Sequence, residues 1–491
     1  MDRSVDAHEP MTSCVMTETG PRASVLESLA RPNLVFLGIC MVYLTFPSNH
    51  FNADALHYNL IALHSAVDSS VFFDDVAVPV HFAWHALATV LIRLSGVQSP
   101  MQSLYILEIF TIVTALASIF VFMKVLRSFA DDFVTVCATI VLAFSHASLM
   151  FFLSVEVYAL NNLVLALTMG FVHRCCVRQP AGLGVGPTLV LALLTALAVA
   201  THLSNLTLLP TVFLFLIAAH PRRAWIRLAV YLPATGALLC LLLLGLAAGR
   251  SMTVVETLRG LAGSSETEHF ISAGPVQNAA TFLRSAPEAA LGRFGVALYF
   301  PLAAAALFVL RSVRALWAHP FFRFLLIYLA MSVGFASQWD SANIEHKIAI
   351  LPVVLLLIAY AHARVSPRMP RWGAAISAVL AAAFVVLGFV QAILPHRDLE
   401  SYDLYRLSAT IHEATDADLV LVVGLASEAG GHAVAMASPT FFGQSVRVLH
   451  PDDPGYVDKV RRYREQGYAV VSYEDGEVRE LDAPGGRVER P

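Results

Sequence analysis

The feature that most limits what this chain can become is its apolar blocks, such as IFTIVTALASIFVFM at 109–123, ATGALLCLLLLGLAA at 234–248 and AAISAVLAAAFVVLGFV at 374–390. Each approaches the roughly 20 residues of helix needed to cross a bilayer. Lipid offers no partner to a backbone N–H or C=O, so only helices and closed barrels cross it. The apolar residues run on rather than alternate, which selects helices. Composition agrees: 57% of residues are hydrophobic and 14% charged, and the mean hydropathy is +0.66. A soluble domain carries about 25% charged residues and could not cover its surface with so few. With 32 Lys and Arg against 36 Asp and Glu, the chain lacks the basic stripe of a nucleic-acid binder. The reading is a polytopic, all-α membrane protein.

Spanning runs are expected at 32–47, 101–123, 133–151, 155–172, 187–201, 203–219, 226–248, 294–310, 320–338, 347–362 and 372–394, eleven in all. A twelfth segment, VPVHFAWHALATVLIRL at 78–94, is of minimal length and contains His81, Trp84, His85 and Arg93. Charge parity decides it. If it does not cross, Lys124 and Arg127, Arg174 and Arg178, Arg222, Arg223 and Arg227, Arg311, Arg314 and Arg323, and Arg364, Arg368 and Arg371 all lie on one face. That is the asymmetry of the positive-inside rule. The opposite loops hold Arg93, Arg250, Arg259, Arg284, Arg293 and Lys347 more sparsely. The expectation is a plasma (inner) membrane protein with a cytoplasmic N-terminal segment over 1–31. The helix at 78–94 then lies on or dips into the outer surface, and large outer loops cover 48–100 and 249–293. A cleaved signal peptide would require an unusually long charged start.

From 395 the character changes. ADLVLVVG at 417–424, SVRVLHP at 445–451 and YAVVSYE at 468–474 read as strands, and DPGYVDKVRRYREQG at 453–467 as a helix with a capped, proline-initiated start. Alternation of strand and helix predicts a small extracytoplasmic α/β domain over 395–491. It has neither Gly-x-Gly-x-x-Gly nor a Walker loop, so it reads as a stabilising or acceptor-docking appendage. The six cysteines show no Cys-x-x-Cys spacing, so neither a structural zinc nor a disulfide framework is indicated.

With sides assigned, the polar residues gather on the outer face. Asp54, His57, His64, Asp68, Asp74 and Asp75 lie in the first outer loop, and His81 and His85 stand one turn apart on the following helix. Glu108 lies about two turns inside the second span, Glu156 and Tyr158 mark the outer end of the fourth, and His202 sits between the fifth and sixth. Trp339, Asp340, Asn343, Glu345, His346 and Lys347 fill the turn between the ninth and tenth. Each has a plainer explanation: loop carboxylates are mostly solvated, a His-x-x-x-His without a third ligand is weak evidence for metal, and Trp339 suits the aromatic belt. His202, with Ser204 and Asn205, could simply satisfy backbone where two helices meet. Glu108 is the exception, since a carboxylate among lipid-facing residues is functional or paired by default.

SVEVYALNNLVLAL at 154–167 and ATHLSNLTLLPT at 200–211 resemble segments of an O-mannosyltransferase-like membrane family of bacteria and animals, within the GT-C superfamily. Asp54, soon after the first span, fits that superfamily's pattern, as does the layout over 32–394. The family's His-Pro-Pro-Gly-Tyr-Pro-Leu stretch is replaced here by VPVHFAWHAL, with His81 its counterpart and the Pro-Gly turn absent; QWDSANIEHK matches only loosely.

The resemblance implies a glycosyltransferase that takes a sugar from a polyprenyl-phosphate donor and passes it to a protein hydroxyl, a lipid or a glycan at the outer face. Such a reaction needs a base for the acceptor hydroxyl and cations for the phosphate. Asp54 is the first choice as base and Glu156 the second. His346, Lys347, Arg259 and Arg293, with Arg250, are the phosphate partners available. One base acting in direct displacement inverts the anomeric centre, whereas a retaining route needs a second carboxylate. A divalent cation (Mg or Mn) bridging Asp54 or His81 to the phosphate is compatible with these residues but not called for by their spacing. The competing class is a transporter or flippase of lipid-linked sugars or small molecules, which would place ionisable groups near the midplane and often show repeated halves. Here the polar groups lie near one face.

Overall fold

The structure, a computed structural model, describes residues 31–481 apart from 50, 69–79, 179–183, 220–223, 250–252, 258–273, 340, 366–370, 416, 424–427, 451–452, 454–455 and 475–476. Asp74, Asp75, Arg250, Arg259, Asp340 and the side chain of His346 therefore lie outside the described residues, as does the N-terminal segment up to residue 30.

The chain is mainly helical. Helices α1 (Pro32–Thr45), α2 (Ala53–Val67), α3 (Phe82–Ser95), α4 (Pro100–Arg127), α5 (Asp132–Phe144), α6 (His146–Phe152), α7 (Tyr158–Arg178) and α8 (Val185–Thr201) are followed by a 3₁₀ turn at Leu203–Thr207. Then come α9 (Leu208–Ala219), α10 (Ala224–Gly249), α11 (Pro275–Leu291), α12 (Tyr299–Leu316), α13 (Pro320–Trp339), the single turn α14 (Glu345–Ile348), α15 (Leu351–Val365) and α16 (Arg371–Gly388).

Eleven spans were expected; among the described residues six helices are long and apolar enough to cross, or seven if the bent pair α5–α6 counts as one. The shortfall is one of length. Pro32–Thr45 has 14 residues, which at 1.5 Å each reach only about 21 Å of a hydrocarbon core of about 30 Å.

Three local differences from the sequence reading place the site. The first outer loop is not all loop: Asn52 caps α2 by accepting a hydrogen bond from the Ala55 amide at 2.6 Å, and most of α2 is buried. The helix expected to lie on the surface does not present a polar face to water. On α3 the imidazole of His85 and the indole of Trp84 are fully buried, whereas Leu87, Val90 and Leu94 face outward. An apolar outer face suits lipid, and it inverts the pattern of an interfacial helix. Arg93 ties α3 to the end of α2, donating to the carbonyls of Ser65 and Ala66 at 3.0 and 3.1 Å. Finally, the run at 133–151 is broken: α5 and α6 meet at 58°. Ser145 stands at the break in extended backbone and accepts from the Ser148 amide, starting α6 afresh.

Two apolar cores divide α4 between them, one around Leu104–Ile119 with α1, α2, α3, α6 and the start of α7, the other around Phe122–Leu126 with α8, α13 and α15. After the membrane helices, α17 (Asp403–Ala414), β1 (Leu419–Val423), α18 (Glu428–Phe442), β2 (Ser445–Leu449), α19 (Tyr456–Glu465), β3 (Ala469–Glu474) and β4 (Glu477–Glu480) form the expected α/β module. The sheet order is β2-β1-β3-β4, with β1 parallel to both neighbours and β4 antiparallel to β3. Val420, Leu421 and Val422 are fully buried, because Ile411 and Val434 cover one face of β1 and Tyr456 and Val460 the other. That is why β1 reads as an unbroken apolar run. Helix α18 also packs on α2 and α4, and its Ala437 belongs to the first membrane core, so the module is docked rather than appended.

Candidate active site

The break between α5 and α6 delivers the chain to a short non-helical stretch, 153–157, that carries Glu156 to the start of α7. Val155 and Val157 are fully buried on either side and pull Glu156 in with them. The linker from α1 to α2 is clamped over this stretch: the Ser48 amide donates to Leu153 O at 2.9 Å, and Asn49 donates to the carbonyls of His396 and Arg397. Asn52, at the end of the linker, donates through Nδ2 to Glu156 Oε1. Burial raises the Glu156 carboxyl well above the usual carboxylate range, and the charges of Glu345 and Asp54 raise it further, against the hydrogen bonds from Asn52 and the Val157 backbone. Carboxylates from two other parts of the chain, Asp54 and Glu345, thus act on Glu156.

Glu345, the first residue of α14, accepts from Tyr158 OH at 2.9 Å and from Asn343 Nδ2 at 3.3 Å, while its own amide donates to Asn343 Oδ1 at 2.9 Å. Lys347 is buried, and its Nζ donates to the carbonyls of Ser341, Ala342 and Asn343 at 3.1, 3.1 and 2.8 Å and lies 5.3 Å from the Phe282 ring. The lysine expected to meet phosphate is therefore spent on the turn that presents Glu345. Asp54 lies in the first turn of α2, where the helix N-terminus favours negative charge, and it is exposed.

An aromatic and imidazole cluster adjoins the carboxylates. His202 lies with its ring 5.4 Å from Tyr158 and 4.7 Å from His81, and Tyr58 of α2 packs against His81, Trp84 and His85 at 5.9, 5.6 and 5.0 Å. His57 meets Tyr58 at 6.3 Å. His202 Nδ1 accepts from the Ser204 amide at 3.1 Å, capping the 3₁₀ turn. Beneath it, Asn205 Nδ2 donates to Asn161 Oδ1 at 2.5 Å and to Ala198 O at 2.7 Å. The two segments around Glu156 and His202 meet through that buried amide pair.

Other expected residues lie elsewhere. Glu108 is buried on α4 against the Ser48 backbone, with Oε1 unpartnered among the described residues. Arg293 is exposed over the Phe294 ring, its amide donating to Gln391 Oε1 at 3.1 Å. Among the described residues no three His, Cys, Asp or Glu side chains are grouped to hold a metal. Asn52, Tyr58 and Asn161 are members of the site that the sequence reading missed; the Asn52 cap ahead of LHYNLIALHSAV was the available signal, since it marks a helix where a loop was expected.

No protein-family model matches the sequence, and no curated protein matches it. Solved structures do. ArnT from Cupriavidus metallidurans bound to undecaprenyl phosphate is similar over 92% of this chain and 94% of its own, at a TM-score of 0.56 and 13% identity. Both it and the archaeal protein below are GT-C superfamily glycosyltransferases. The fold is that of the GT-C glycosyltransferases. AglB from Archaeoglobus fulgidus, in complex with an inhibitory peptide and a dolichol-phosphate, is similar over 90% of this chain and 69% of its own, at a TM-score of 0.51 and 11% identity. The apo oligosaccharyltransferase of Archaeoglobus fulgidus matches at a TM-score of 0.53 and 11% identity over 83% of this chain and 64% of its own, so this chain spans less than two thirds of that protein's length. The archaeal enzyme has also been solved with zinc and sulfate. At such identities the likeness is one of fold.

Proposed function

We propose that this chain is a glycosyltransferase that moves a sugar from a polyprenyl-phosphate donor to a protein hydroxyl, a lipid or a glycan, at the membrane face where Asp54, Glu156 and Glu345 gather. The observation that carries the reading is the carboxylate cluster itself, with Glu156 buried and held by Asn52 beside Glu345. It sits in a fold of which one solved example holds undecaprenyl phosphate and another a dolichol-phosphate.

The reaction that suits these groups is direct displacement. The acceptor oxygen bonds to the anomeric carbon, the bond from that carbon to the donor phosphate breaks, and the phosphate leaves with the electron pair. Asp54, exposed and carried by a helix N-terminus, takes the acceptor proton. Glu156, whose carboxyl is pushed above the usual carboxylate range by burial and by the charges beside it, is the weaker candidate for base and orients the acceptor by hydrogen bonding. One displacement inverts the anomeric centre. His346 and Arg259, whose side chains lie outside the described residues, are the cations proposed for the departing phosphate.

Eleven crossings are proposed by adding the shorter apolar helices Pro32–Thr45, Val185–Thr201, Leu203–Ala218 and Leu351–Val365 to the six long helices and the bent pair. Phe82–Ser95 is left as a helix that enters the apolar layer without crossing. The basic loops then face the cytoplasm of an inner-membrane protein, and the carboxylate cluster faces outward.

The test is sugar transfer by the purified full chain, using labelled sugar on a short-chain polyprenyl phosphate with peptide, lipid and glycan acceptors. Release of polyprenyl phosphate together with labelled acceptor is the expected result. Movement of intact donor across vesicles, with no cleavage under any acceptor, would replace the enzyme reading with a transporter.

A further inference from the structure

A cavity of about 480 Å³ opens between the last turns of α4 and α7. Tyr158 and Arg178 end the same 21-residue helix, so it lies about 30 Å from the carboxylate cluster and at the opposite membrane face. Its rim carries Lys124, Arg174 and Arg178, and no carboxylate lines it. Among the described residues none of the three cations has a carboxylate partner, although Arg127 close by is paired with Asp132 at 3.6 Å. The floor is polar: the buried His173 ring exchanges a hydrogen bond with Ser128 Oγ at 3.0 Å. The back wall depends on Gly170, where an added Cβ would stand 2.9 Å from Val125 Cγ2 of α4.

Helix C-termini attract cations through the dipole alone. A dipole does not account for a cavity with one basic rim and one apolar wall. From that wall an exposed apolar stripe, Phe120, Val113 and Ile109, runs up α4 towards the bilayer interior at helical spacing. Charge for a phosphate thus continues into a track for an acyl chain. We infer that this cavity binds the headgroup of an anionic phospholipid of the leaflet opposite the carboxylate site. The phosphate is held by Lys124, Arg174 and Arg178, with a chain along α4. A free anion would use the rim and leave the stripe idle. Basic pockets between spanning helices recognise lipid headgroups in this way.

The test is lipid retention by the full-length protein in native mass spectrometry. The detergent-purified chain is offered phosphatidylglycerol or phosphatidylcholine of identical acyl composition, with and without inorganic phosphate. Wild type should retain the anionic lipid about tenfold more than the neutral one, and inorganic phosphate should not displace it. Arg174→Gln/Arg178→Gln should lose that preference. Val177→Trp, which fills the exposed mouth without changing charge, should lose it as well. Arg311→Gln/Arg314→Gln, on the same face but away from the cavity, should keep it. Equal retention of the two lipids by wild type, undiminished preference in both cavity variants, equal loss in the Arg311 and Arg314 control, or displacement by inorganic phosphate would each overturn the assignment.

Discussion

At the scale of the residue, Asp54 and Glu156 differ in environment, and the roles proposed for them follow from that difference. Asp54 is exposed on a helix N-terminus, and Glu156 is enclosed by Val155, Val157 and Asn52. Asp54→Asn keeps shape and loses the base, so transfer should fall by about a hundredfold or more in membranes containing normal amounts of protein; full activity in that variant would remove Asp54 from the role. Glu156 makes a statement about stability as well. Its carboxyl is raised by folding, so the folded state binds the proton more tightly than the unfolded one. The stabilisation is complete in acid and is lost as pH climbs from the ordinary carboxylate range through the raised value. Glu156→Gln fixes the neutral form. Thermal unfolding followed across pH should therefore show a shallower decline on the alkaline side for the variant than for wild type. Parallel curves would mean that Glu156 ionises freely.

At the scale of the element, the turn between α13 and α15 is held by one buried ammonium. Three carbonyls converge on Lys347 Nζ, which also lies 5.3 Å from the centre of the Phe282 ring. Lys347→Met keeps the stem and removes the donors, so it should cost about 2 kcal/mol of stability and loosen Glu345 from Tyr158, lowering activity more than the loss of folded protein explains. If activity falls while stability is unchanged, Lys347 reaches the donor phosphate directly. The same scale separates what was legible from what was not. The strands β1, β2 and β3 and helix α19 could be read from apolar runs and a capped start, because local pattern specifies them. Helix α2 was taken for loop, since its polar inner residues, Asn59 and Ser65, are buried among apolar neighbours and blur the periodicity. The break at Ser145 was invisible in a run whose composition is uniformly spanning.

At the scale of the whole molecule, both ends of the bundle carry charge, but of opposite kinds: carboxylates near the start of α7, cations near its end. If the basic end faces the cytoplasm, a reporter fused after residue 480 should read as extracytoplasmic. A cytoplasmic reading would mean that α3, with its apolar outer face, crosses. The α/β module belongs to the same argument, since α18 rests on α2 and α4 and so bears on the elements that carry Asp54.

The sequence by itself determined that the chain lives in lipid, and it led to the expectation that one face is basic and that the acids and histidines singled out collect at the other. Those properties follow from composition along single helices. It could not determine which of those residues meet. Asp54, Glu156 and Glu345 are separated by about 100 residues or more in sequence, and their approach is set by packing between helices and by the hydrogen bonds of Asn52 and Tyr158. Nor could it show that Lys347 is committed to its own turn, because a lysine beside a glutamate reads alike whether it faces a ligand or folds back on backbone carbonyls. Only the tertiary structure decides which partner is within reach.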